Sequence, residues 1–117
     1  MKFDTVTVAD LDTAGAEAAD AATFGIIGLS PDGIVDTYNR TESRLAGLSP
    51  ERVVGQHFFT AVAPCMNNFM VSQRMDDESE LDATIDYVLT LRMRPTPVKL
   101  RMLKSPGSPR RYILIQR

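Results

Sequence analysis

Few side chains in this chain can carry chemistry, and the rarest of them is the most informative. Cys65, in the stretch AVAPCMNN, is the only thiol, and His57 is the only imidazole. A thiol acts as a nucleophile through its thiolate, so Cys65 can be an acyl anchor or a catalytic nucleophile. It can equally be a small buried hydrophobe. A catalytic Cys–His pair is poorly supplied, because His57 lies eight residues upstream and no third residue stands out to orient it. One cysteine and one histidine also fall short of a zinc set, and Asp76, Asp77, Glu78 and Glu80 form a hydrophilic run expected in solvent. No Gly-rich phosphate loop and no internal repeat is present. Nothing in the pattern reads as an enzyme.

The chain that must position these residues has 117 residues, 44% of them hydrophobic and 24% charged, which suits one globular domain with one core. A formal net charge of −2 gives no footprint for nucleic acid or an anionic membrane. Arg92, Arg94, Lys99, Arg101, Lys104, Arg110 and Arg111 do collect late in the chain, but they alternate with apolar residues, as the wet face of a sheet does. No secretory signal and no run approaching the roughly 20 apolar residues of a membrane span is seen, so the expected setting is cytoplasmic.

Residues 1–23 are rich in Ala and Asp, with few large apolar anchors. They are expected to form a weakly packed, mobile N-terminal helical cap on a core spanning residues 24–117. Gly25–Leu29 and Ile34–Tyr38 flank Ser-Pro-Asp-Gly and predict a hairpin. Asn39 is a good N-cap with Glu42 in the capping-box position, and Gly47 stops that helix. Ser49-Pro50 starts a second short helix. In FMVSQRMDDESELD, Phe69, Met70, Val71 and Met75 could form one apolar helix edge. Ile85, Tyr87, Leu89, Leu91 and Met93 then alternate at period two, and VKLRMLK and RRYILIQR supply two more strands. The predicted fold is α+β: a five-stranded antiparallel sheet with short helices on one face, enclosing a small pocket.

This order, and the phrase YNRTESRLAGLSPERVVGQHFF (residues 38–59), resembles the PAS fold of sensor and interaction domains. With Phe58-Phe59 and Val62-Ala63-Pro64-Cys65 added, and MRPTPVKL later, the chain from about Phe24 to Arg117 resembles the photoactive yellow protein family of PAS-type blue-light receptors. That resemblance implies p-coumaric acid (4-hydroxycinnamic acid) held as a thioester on Cys65. It implies a phenolate hydrogen-bonded by Tyr38 and by a protonated Glu42, a further hydrogen bond to the chromophore from Cys65, and a pocket lined by Ile27, Ala46, Leu48, Phe58, Val62, Ala63, Pro64, Leu89, Leu91 and Met93. It also implies trans-to-cis photoisomerisation followed by proton transfer from Glu42, whose new buried charge loosens residues 1–23 as the signal. The chemistry suits the residue types: a phenol ordinarily titrates near 10, and donors aimed at its oxygen favour the anion.

Each of these residues also has an ordinary reading. Glu42 alone is a capping-box glutamate, and Tyr38 alone is a strand-end core aromatic. Ala46 stands where typical members have a threonine, and Leu48 where they commonly have an arginine. Leu91 replaces a typical tyrosine, while Met93 keeps a methionine. Without that hydroxyl and that cation, a phenol bound here is expected to keep its proton more readily than in typical members. The alternative is a chromophore-less PAS sensor or dimerisation module. The resemblance implies a downstream signalling protein or fused signalling domains as partners, and exposed apolar residues could support a homodimer.

Overall fold

A computed structural model describes residues 1–91 and 93–117; of Leu91 it describes the backbone alone. Two short helices, α1 (Val8–Thr13) and α2 (Ala16–Asp20), precede the hairpin of β1 (Gly25–Leu29) and β2 (Val35–Tyr38). Helices α3 (Arg40–Ala46) and α4 (Pro50–Val53) follow, then a π-helical turn over Phe58–Val62 and a 3-10 turn over Pro64–Met66. Helix α5 (Ser72–Asp77) leads into β3 (Leu81–Leu91), β4 (Arg94–Lys104) and β5 (Arg111–Gln116). The five strands form one antiparallel sheet in the order β2-β1-β5-β4-β3. This is the five-stranded antiparallel sheet expected from the sequence. No described helix is long and apolar enough to cross a membrane.

The punctuation residues act where expected. Gly33 closes the first hairpin at φ 82°, and Gly47 ends α3 in the left-handed region at φ 73°. The Asn39 side chain accepts from the Glu42 backbone N–H at 3.1 Å, so it is the N-cap of α3. The reciprocal half of a capping box is absent from α3, because the Glu42 carboxylate is engaged elsewhere.

Two features depart from the expectations. Both faces of the sheet are covered, and residues 1–23 are packed rather than loose. Ile27, Leu29, Val98, Leu100, Met102, Ile113 and Ile115 face the core beneath α3–α5. Ile26, Leu103, Tyr112 and Leu114, one step out of phase, face a second core with Phe3, Val6, Val8, Leu11, Ala19 and Ala22. The anchors of the N-terminal segment are few, but nearly all of them are buried. Arg101, itself 5% exposed, locks the segment further. It donates through Nη1 to the carbonyls of Phe3 and Val6, both at 2.8 Å, and through Nε and Nη2 to Asp82. The basic residue expected on a wet sheet face is here a buried clamp.

The helical edge proposed over residues 69–75 also divides. Val71 and Met75 are buried, whereas Phe69 is 74% exposed because it precedes the helix.

Candidate functional site

Tyr38 ends β2 and Glu42 lies in the first turn of α3, so one hairpin-to-helix junction places both. The junction is fixed by Asn39, which is 2% exposed. Its Oδ1 accepts from the N–H groups of Ile26 and Glu42, and its Nδ2 donates to the carbonyls of Ala19 and Phe24. Thr41 donates to Ala22 at 2.6 Å, and the Arg40 N–H donates to Asp20 at 2.7 Å. The helix that carries Glu42 is therefore stapled directly to the N-terminal cap.

Both acids of the junction are removed from water. Burial, reinforced by the Glu42 charge, pushes the Tyr38 phenol well above its ordinary range. The Tyr38 hydroxyl has no hydrogen-bond partner among the described residues. Glu42 is 1% exposed, and burial pushes its carboxyl upward while Arg117 pulls it down. The pull comes from a two-pronged pair: Arg117 Nη1 donates to Oε1 at 2.7 Å and Nη2 to Oε2 at 3.2 Å. The expectation of a protonated, donating Glu42 had left this cation out. No sequence signal points to it, because the partners lie 75 residues apart and meet only through the β1–β5 register.

Cys65 sits in the 3-10 turn after the π-helical turn, free and half-buried. Its turn is held by residues that the cysteine motif does not include. The Tyr87 hydroxyl donates to the Cys65 carbonyl at 2.6 Å, and Asn68 Nδ2 donates to both that carbonyl and the Tyr87 oxygen. Tyr87 shares its strand face with Leu89, so alternation had placed it toward the core without revealing this role.

Cys65 and Tyr38 are brought to the same apolar cluster. Ile27, Phe58, Ala63 and Leu89 are buried members of it, and Leu48 and Val62 pack against it half-buried. Ala46 is buried and lines, with Leu89 and Arg117, a cavity of about 480 Å³ that also meets Arg44 and Arg94. Two expected lining residues stand apart. Pro64 is exposed on the outside of its turn. Met93 is 93% exposed at φ 58°, because the β3–β4 hairpin turns there and ends the period-two alternation. The side chain of Leu91 lies outside the described residues. His57 shares a hydrogen bond with Thr60 at 3.0 Å and packs on Phe59, with no hydrogen bond to Cys65 among the described residues.

A five-stranded antiparallel sheet with short helices over one face is the PAS architecture, and the PAS fold model matches residues 14–115. The photoactive yellow protein of Rhodothalassium salexigens is 32% identical over 115 residues, covering 92% of each chain. That of Halochromatium salexigens is 33% identical over 97 residues, covering 80% of this chain and 78% of its own. The photoactive yellow protein domain of the sensor histidine kinase Ppr from Rhodospirillum centenum superposes with a TM-score of 0.85 at 39% identity, covering 93% of this chain and 98% of its own. The chain belongs to the photoactive yellow protein family of PAS domains.

Proposed function

We propose that this chain is a blue-light photoreceptor domain carrying p-coumaric acid as a thioester on Cys65. The observation that carries the reading is the buried Tyr38–Glu42 junction beside the apolar cluster that also takes in Cys65, half-buried and with its backbone carbonyl held by Tyr87 and Asn68. The residues fit the group. Cys65 offers the nucleophilic sulfur, and the apolar side chains between suit an aromatic ring. Tyr38 presents a hydroxyl free to donate to an oxygen, and Glu42 adds a carboxyl whose proton affinity burial has raised.

When bound, the group would supply blue-light absorption, a double bond that changes geometry on excitation, and a phenol oxygen whose basicity changes with it. The remaining work falls to the chain itself. Tyr38 keeps its proton and donates. Glu42, buried and paired with Arg117, can gain or lose a proton at its carboxyl, and either change alters the two-pronged pair. A change in that pair acts on α3, which is tied through Asn39, Thr41 and Arg40 to residues 19–24. A proton shift at Glu42 thus reaches the N-terminal cap through bonds seen in the structure. The Ppr domain belongs to a sensor histidine kinase, which supports a cytoplasmic signalling partner or fused signalling domains for this chain too.

The test is intact mass and visible absorbance after supplying activated p-coumaric acid. The wild type should gain one p-coumaroyl group and turn yellow, and Cys65→Ala should do neither. A colourless, unmodified wild type would instead favour a chromophore-less PAS module.

A further inference from the structure

The side chain of Arg117 directly follows β5 and is only 16% exposed. Its guanidinium closes on both oxygens of Glu42. The groups that face Glu42 or share its surroundings can be named. Tyr38 comes from β2 and Arg117 from the end of β5; Arg44 of α3 and Arg94 of β4 line the cavity beside Arg117. Only Arg117 touches the carboxylate among the described residues. Gly25 makes the approach possible. It pairs with Ile115, and a Cβ there would overlap Glu42 Oε1.

Building on the photoreceptor reading, we propose that Arg117 is a positioning residue of the site. Its guanidinium, delivered by the residue that follows β5, decides whether Glu42 carries a proton. A two-pronged guanidinium satisfies the ionised carboxylate fully, and a protonated carboxyl satisfies only one of its prongs. Removing Arg117 leaves burial unopposed and favours the protonated form.

The experiment follows the Glu42 carboxyl carbon by NMR in the full chain before any p-coumaric acid is supplied, assigned by its loss in Glu42→Gln. Arg117→Gln should raise the Glu42 midpoint by about one pH unit or more, a tenfold gain in proton affinity, and Arg117→Lys should restore part of the shift. A merely structural Arg117 would leave the midpoint in place. If Arg117→Gln does not fold, Arg117→Lys decides: it keeps the charge but loses the fork, and should shift the midpoint upward by a smaller amount. An unchanged midpoint in the folded variant overturns the proposal. A second readout, on protein loaded with p-coumaric acid, is the visible titration of its phenol, which Arg117→Gln should move. Failure to load would count against the photoreceptor reading alone, because the carboxyl titration does not depend on it.

Discussion

Gly25→Ala puts the tightest contact of the site under load. A Cβ at position 25 would overlap Glu42 Oε1, lie 3.0 Å from its Cδ and 3.1 Å from its Cβ. Glu42 is 1% exposed and its Oε1 accepts from Arg117 at 2.7 Å, so the carboxylate has no solvent to move into without breaking that bond. Overpacking of this kind costs about 1–3 kcal/mol. Losing one charge-assisted hydrogen bond adds roughly 1.5–3 kcal/mol. The expected loss is about 2.5–6 kcal/mol, a large fraction of the roughly 5–15 kcal/mol that stabilises an ordinary domain. Urea unfolding of Gly25→Ala, Glu42→Ala and the double variant measures it. In the Glu42→Ala background the oxygen and the pair are gone and only the 3.1 Å Cβ contact remains, so Gly25→Ala should cost about 1 kcal/mol there. Equal costs in the two backgrounds, within about 0.5 kcal/mol, would refute the contact and the argument built on it.

Other perturbations address the remaining supports. The Glu42 carboxyl is raised above its ordinary 4.5, so its contribution to stability is complete below that value and is lost as pH rises through the raised one. Glu42→Gln should flatten the stability–pH curve on that side, and a curve unchanged by the substitution would contradict the assigned direction. Asp82 has the opposite sign: its hydrogen bond to Arg101 lowers it below 3.8, so its small contribution is present above that value and fades as pH falls. Arg101→Met should free the carbonyls of Phe3 and Val6 and speed hydrogen exchange over residues 1–13, leaving β4 and β5 protected. Equal exchange in both proteins would show that the apolar anchors alone hold the cap. Tyr87→Phe removes the hydroxyl that joins Asn68 to the Cys65 carbonyl and should cost about 1–2 kcal/mol in thermal or urea unfolding.

Much of this protein follows from local chemistry. Alternating apolar residues set the strands, Gly33 and Gly47 set a turn and a helix end, and Asn39 sets the start of α3, because φ, side-chain period and capping are short-range properties. Cys65, Tyr38 and Glu42 could be singled out from sequence because they sit in one recognisable motif pattern, and the fold brings Cys65 and Tyr38 to one apolar cluster. Residues 1–23 misled for a physical reason: a few anchors such as Phe3, Val6 and Leu11 carry little local signal but are buried once Tyr112 and Leu103 present a second sheet face. Met93 misled in the opposite way, since alternation continues in sequence past the point where the chain turns. The partners of the functional residues were decided only by the tertiary structure. Register between β1 and β5 brings Arg117 to Glu42, and the fold brings Tyr87 and Asn68 to Cys65. Sequence determined which side chains could take part in the chemistry. Long-range pairing decided which charge each of them would face, because a buried group's proton affinity depends on its neighbours in space.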